Sequence, residues 1–427
     1  MPAERHQPRS LIASAGFLVC LSAAGPAAAA EPPPLEGAAA LRPFFAALAQ
    51  LDRKRTRQAV RILQVGDSHT ANDAFSGQMR ERLQTRFGAA GRGWLPAGST
   101  RMECRPALVT VEETGWRHLK PGADAAGVPL GLDAVAAEAV GPEARMVLTS
   151  AEPEGFDRVA VALVARPGGT PLALRLDDAP PRPISTVAPR PAWRRIEILL
   201  PPRTKAHRVE LSAPRAAGQL VLGWAVERRG AGIIYENHGS IGATAALLEK
   251  LDPATVASEL ADRRPALLVV AFGTNEGFDD RLDLARYTAR FRAEIAQLAH
   301  AARGTAVLVL GPPDGNRLPP GCPHQGTIQA ACGSREGDCA WAEPRNLAAV
   351  RDIQRRAAQR HGWAFWDWSA AMGGRCAIDR WLGRDPPLAM PDHVHLSRAG
   401  YSGTADMLFS ALMREYDTWR RGRMVAR

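Results

Sequence analysis

The stretch AVRILQVGDSHT, Ala59 to Thr70, decides how this chain is read. Its first half, Ala59 to Val65, is short, mostly apolar and branched, the pattern of a strand buried on both faces. Its second half gathers Gly, Asp and Ser into a turn. Beyond it Phe75, Met79, Leu83 and Phe87 recur every four residues and Gly88 follows as a C-cap, so the order is strand, turn, amphipathic helix. Ser68 stands at the end of the strand, either as a polar residue capping the helix or as a nucleophile. The turn alone leaves both readings open.

The same alternation resumes far downstream. GIIYEN (Gly232 to Asn237) precedes a predicted helix from Ala243 to about Leu251, and PALLVVAFG (Pro265 to Gly273) precedes one over about Leu282 to Ala302. TAVLVLGPPD (Thr305 to Asp314) follows, then a helix over about Asn346 to Arg360, the strand WAFWDW (Trp363 to Trp368) and a last helix from about Ser397 to Trp419. Apolar strands alternating with helices predict an α/β fold, a three-layer α/β/α sandwich around one parallel sheet. Between these halves the texture changes. RVAVALVAR, PLALRLDD, RRIEILLP, HRVELSA and LVLGWAVERR are short segments set between Pro- and Gly-rich turns, the signature of an all-β sandwich. The predicted organisation is therefore a first part of the α/β domain over 31–103, an inserted β-sandwich over 104–230, and a second part over 231–427.

Residues 1–30 read as a secretory signal peptide: Arg5 and Arg9 precede an apolar stretch from Leu11 to about Ala24, and small residues lead to cleavage near Ala30. Val19 before Cys20 disfavours a lipid anchor, and nothing later forms an apolar run long enough for a stable membrane span. Export to the periplasm is the expectation, and an oxidising compartment permits disulfides among Cys322, Cys332, Cys339 and Cys376, with Cys104 as the candidate free thiol. The spacings do not suggest zinc, and neither a metal nor an organic cofactor is implied. The net charge of +10 falls to +9 without the signal segment, which holds two Arg and one Glu. Such a surface attracts polyanions, yet no basic stripe interleaved with aromatics and no nucleic-acid-binding motif is present. An anionic envelope polymer or membrane surface suits an exported basic protein better.

If Ser68 is catalytic, its partners should also follow strands, because an open parallel sheet places ligands beyond the C-terminal ends of its strands. Gly242 in NHGSIGAT follows the second strand, Asn275 in FGTNEG the third and DHVHLS the fifth. Of the ten histidines only His395 has an Asp three residues before it, Asp392. A serine hydroxyl needs an adjacent base, for which an imidazole has the right pKa, and a carboxylate can fix its tautomer. The backbone N–H groups of Ser68 and Gly242 and the amide of Asn275 are candidate oxyanion donors.

The order GDS, GxT after Asn237, GTN and DxxH resembles the four blocks of the SGNH, or GDSL-type, hydrolase superfamily, over about Val60 to Gly88 and Gly232 to the end. The resemblance implies a flavodoxin-like sheet, Ser68 as nucleophile, His395 as base, Asp392 as its orienter, and Ser68, Gly242 and Asn275 as oxyanion hole. His69 replaces the usual aliphatic residue after the serine, and Glu276 stands where Asp often follows Asn. GDSHT with a β-rich insertion is similar to the secreted peptidoglycan O-acetylesterases of Gram-negative bacteria, in which the insertion resembles a carbohydrate-binding module. That implies an acetylesterase acting on O-acetylated polysaccharide, chiefly peptidoglycan. An O-acetyltransferase using the same acyl-enzyme and a non-catalytic glycan-binding protein are the alternatives. His238 and His393 are expected near the site, and Trp94, Trp116 and Trp193 are possible sugar platforms as well as core residues.

Overall fold

In the computed structural model the described residues are 33–98, 106–215, 217–318, 322 and 341–425. The signal segment, Cys20, Cys104, Cys332 and Cys339 lie outside them, whereas Cys322 and Cys376 are described and are each disulfide-bonded. Five parallel strands, Ala59–Gly66, Gly232–Gly239, Leu267–Ala271, Ala306–Gly311 and Ala364–Asp367, form one sheet in the spatial order second, first, third, fourth, fifth. The order reverses beside the first strand, so the crevice at the rim opens where the Ser68 turn emerges.

Alternate side chains of these strands feed two cores. Ile62, Ile233, Val269, Leu308 and Trp366 pack on one face against the helices Arg42–Asp52, Ala74–Phe87 and Arg398–Val425, through Phe44, Met79 and Leu412 among others. Leu63, Val65, Val270, Val309 and Phe365 pack on the other against Pro253–Arg263, Leu284–Ala301 and Leu347–His361, through Leu260, Phe291 and Val350. The sheet is thus sealed on both sides, as its continuous apolar strands require.

The segment between the first helix after Ser68 and Gly232 forms two antiparallel sheets, one of six strands and one of five. It begins earlier than residue 104: Gly91–Pro96 pairs antiparallel with Leu220–Glu227, so this strand belongs to the sandwich side. Nor is the insertion a bead hung from a loop. Along Arg158–Ala165 the side chains of Val159, Val161 and Leu163 enter the sandwich interior, while Ala160, Ala162 and Val164 join the core beside the parallel sheet. Both faces of that strand are buried, which explains its unbroken apolar reading.

One local expectation is corrected. The helix expected over Ala243 to Leu251 is a short 3₁₀ helix, Ala245–Lys250, because the preceding loop turns on Gly242 with φ 72° and Ala245 donates its N–H to a side chain of the neighbouring turn. The true helix starts at Pro253, where Asp252 caps it by accepting from the Thr255 N–H at 2.7 Å and proline occupies the first turn.

Candidate active site

The turn that carries Ser68 is tied from within. Asp67 caps the four-residue helix Ser68–Ala71 by accepting the His69 N–H at 3.0 Å, and its own N–H donates to the carbonyl of Ala271 on the third strand. Gly66 is required for close approach: a Cβ there would lie 2.3 Å from Thr70 Oγ1 and 2.6 Å from the Ala271 carbonyl. The neighbouring strand therefore presses against the turn and fixes where the serine points.

Ser68 Oγ lies 2.9 Å from His395 Nε2, and His395 Nδ1 lies 2.7 Å from Asp392 Oδ2. The other carboxylate oxygen of Asp392 accepts the backbone N–H groups of Val394 and His395 at 3.0 and 2.9 Å. With Nδ1 protonated toward the carboxylate, Nε2 presents its lone pair to the serine hydroxyl. Partial burial pushes the Asp392 pKa up, but the hydrogen bonds from His395 and the backbone outweigh it and hold the carboxyl at about 2. The hydrogen bond from Asp392 in turn raises the His395 pKa above its ordinary value, against the effect of partial burial. The pair remains in reach of solvent, with side chains 37 % and 49 % exposed.

Across the rim, Asn275 opens the short helix Thr274–Gly277, and its Nδ2 donates to the Ala243 carbonyl at 2.8 Å. Glu276 next to it accepts the Ala245 N–H at 2.8 Å. The turn after the third strand thus grips the loop after the second at two points on either side of Thr244, setting Gly242 and the Asn275 amide in one frame. Gly242 has φ 72°, and a Cβ there would meet nothing within 4 Å, so its backbone faces open space. Burial raises the Glu276 carboxyl to about 7 and the Asp67 carboxyl to about 6. Uncompensated carboxylates at the floor of the site hold their protons more readily than exposed ones would.

The three other histidines singled out by sequence are structural. His69 is buried, its Nδ1 lies 2.8 Å from the Tyr401 hydroxyl, and its ring centroid is 5.1 Å from that of His395. Burial and the charge on His395 lower its pKa to about 3, so it stays neutral behind the base. His393 turns inward with φ 56°, bonds Asp379 through Nδ1 at 2.6 Å and stacks on Trp341 at 3.6 Å. Its carbonyl also accepts the Asn316 N–H at 2.8 Å, so the residue between Asp392 and His395 roots their segment. His238 is buried against Asp133 at 2.8 Å. Of the tryptophans, Trp94 is buried under the Arg263 guanidinium, 4.0 Å from its ring centroid, and Trp116 and Trp193 pack against apolar cores.

Sequence reasoning passed over Asp67, Tyr401, Asp379 and Trp341. Only Asp67 left a local signal, as a capping residue before the turn; the other three reach the site from distant segments. Among the described residues no group of His, Cys, Asp and Glu is disposed to hold a metal ion, and no helix is long and apolar enough to cross a membrane.

The GDSL-like lipase/acylhydrolase family model matches residues 212–402. That span holds Gly242, Asn275, Asp392 and His395 in the order the rim presents them. The chain has the SGNH hydrolase fold. The Ser68 turn lies outside the matched span, on the far side of the insertion, and only folding brings it to His395. A solved structure titled as a peptidoglycan O-acetylesterase in action superposes with TM-score 0.71 at 24 % identity, covering 88 % of this chain and 96 % of that one. An acetyl xylan esterase matches with TM-score 0.29 at 16 % identity, over 42 % of this chain and 81 % of that one. A family two carbohydrate esterase from Cellvibrio japonicus gives TM-score 0.27 at 11 % identity, over 73 % of this chain and 99 % of that one. No curated protein matches the chain. The acylhydrolase match over residues 212–402 marks the protein as a carboxylic ester hydrolase.

Proposed function

We propose that this hydrolase is an exported serine acetylesterase that removes O-acetyl groups from polysaccharide, with peptidoglycan as its principal substrate. The observation that carries the proposal is the chain Ser68–His395–Asp392, at 2.9 and 2.7 Å, on the same rim as Gly242 and Asn275. In this mechanism Ser68 Oγ attacks the acetyl carbonyl as His395 Nε2 takes its proton, and Asp392 stabilises the imidazolium. The tetrahedral oxyanion is held by the N–H groups of Ser68 and Gly242 and by the Nδ2 hydrogen of Asn275 that does not serve Ala243. His395 then protonates the leaving sugar oxygen, and water activated by the same imidazole releases acetate from Ser68. The likeness in fold to a peptidoglycan O-acetylesterase supports the choice of glycan, and the apolar segment with its preceding arginines in residues 1–30 supports export to the periplasm.

The test is acetate release by the purified mature protein from O-acetylated peptidoglycan, acetylated xylan and a short-chain aryl acetate, with Ser68→Ala beside it. Serine-dependent release from peptidoglycan is the expected result. Cleavage of the aryl ester alone would keep the nucleophile and discard the substrate. Acetyl transfer to an added glycan acceptor in preference to water would make the protein an O-acetyltransferase.

A further inference from the structure

A cleft of about 670 Å³ lies beside the catalytic rim, in the seam beneath the β-sandwich. This is the size of a small-molecule or oligosaccharide site. One wall comes from the parallel sheet: Ala71 closes the helical turn that Ser68 opens, and Ser240 and Ile241 lead directly into Gly242. The opposite wall comes from the insertion, with His118, Lys120 and Asp133. Any chain lying along the cleft with one end over Gly242 must therefore touch the insertion.

The charges along it are unequal in their commitments. Asp133 is bonded to His238 and to the indole of Trp94, and Glu113 is bonded to His118 at 2.7 Å. Asp73 at the floor accepts from both Arg80 and Arg92, at 2.7 and 3.1 Å, so one carboxylate faces two guanidinium groups. Arg92 is 2 % exposed, lines the cleft, and its Nη1 has no hydrogen-bond partner. Lys120 is exposed at the far wall and makes no ion pair among the described residues. Two donors are thus left over along the cleft, the Lys120 ammonium at the wall and the Nη1 of Arg92 at the floor. A buried guanidinium N–H without an acceptor and an ammonium without an ion pair favour a ligand that brings an anion to them.

We infer that this cleft binds a carboxylate-bearing glycan, with Lys120 pairing to a carboxylate on the strand whose ester lies over Ser68. The inference rests on the acetylesterase reading and names what that site recognises beyond the acetyl group. Neutral acetylated glycans fill the same cleft without meeting Lys120. A carboxylate on a lactyl ether of the sugar and one on an attached peptide present the same chemistry to the lysine.

The experiment measures KM for acetate release from three substrates: O-acetylated glycan strands stripped of peptide, which expose lactyl carboxylates; the same strands with peptides attached; and neutral O-acetylated chitin oligomers. Lys120→Ala is expected to raise KM for an anionic strand about fivefold relative to the neutral oligomer, the scale of an exposed ion pair. Lys120→Glu raises it further, Lys120→Arg restores it, and added salt erases the difference. A loss on stripped strands assigns the lactyl carboxylate; a loss confined to peptide-bearing strands assigns the peptide. An unchanged ratio of anionic to neutral KM in all three variants, with unaltered melting temperatures, overturns the inference. Should the wild type release acetate from no glycan, titration of stripped strands into Ser68→Ala protein, with and without Lys120→Ala, reads the subsite apart from the chemistry. There the lysine variant is expected to bind about fivefold more weakly, and equal binding overturns the inference.

Discussion

The histidine–aspartate pair at the sheet rim and the one in the seam under the insertion have almost the same geometry and opposite surroundings. His395 and Asp392 meet at 2.7 Å with 37 % and 49 % of their side chains exposed, whereas His238 and Asp133 meet at 2.8 Å with 0 % and 6 % exposed. Around His238 lie Glu236 at 3.7 Å and Arg263 at 3.5 Å. Burial works against a charge on that imidazole, but Asp133 and Glu236 outweigh it and raise its pKa to about 9, so it remains a cation at neutral pH. At the rim Asp392 is the bonded carboxylate, with Asp67 adding a smaller effect, and a serine hydroxyl lies within 2.9 Å, so His395 can exchange its proton. A paired histidine is a base only where a nucleophile and solvent can reach it; elsewhere the same pair is a structural ion pair.

Breaking the rim gives the largest effects. Ser68→Ala is expected to lower kcat about 10⁶-fold with little change in melting temperature, read by acetate release and calorimetry. Asp392→Asn should lower kcat by up to about 10⁴-fold, because the imidazole loses the partner that fixes its tautomer. The raised pKa of His395 places the acidic limb of the kcat/KM–pH profile above the ordinary histidine value, with activity falling as pH drops and the base protonates. In Asp392→Asn that limb should move to lower pH; a limb that stays put would mean that another group sets it.

Breaking the seam should act on stability instead. Asp133→Asn leaves His238 as a buried cation without its closest anion, with an expected cost of about 3–5 kcal/mol in denaturant unfolding. Asn275→Ala returns to the rim, where loss of one oxyanion donor should lower kcat about 10²–10³-fold, with about 1 kcal/mol of stability lost with its hydrogen bond to Ala243. The smallest effect sharpens the contrast. A histidine whose folded pKa is raised lends stability that is complete below its unfolded value and is lost as pH rises through the folded one. Melting temperature should therefore fall as pH passes about 9, and His238→Gln should flatten that dependence without moving the acidic limb of activity.

Much of this was legible in the chain itself, for reasons of periodicity. The parallel strands carry unbroken apolar runs because helices cover both faces, and each candidate block comes after one of them in the chain, so the rim could be assembled on paper from Ser68, Gly242, Asn275, Asp392 and His395. Where the reading slipped, local pattern was shared between two environments. The alternation in Arg158–Ala165 disappears because Ala160, Ala162 and Val164 pack toward the parallel sheet while Val159, Val161 and Leu163 fill the sandwich. At Ala243 to Leu251 helix-forming residues are diverted because Ala243 and Ala245 give their backbone groups to Asn275 and Glu276.

By itself the sequence determined which residue types follow which strands, because hydrophobic period and turn chemistry are local properties of a chain. Only the tertiary structure decided what those residues can do. It carried Ser68 to His395 across 327 positions, set Tyr401 behind His69 and Asp379 behind His393, and buried the His238–Asp133 pair while leaving His395–Asp392 open. Proton affinity depends on solvation and on neighbouring charges, and both are fixed by packing between segments that the sequence holds far apart.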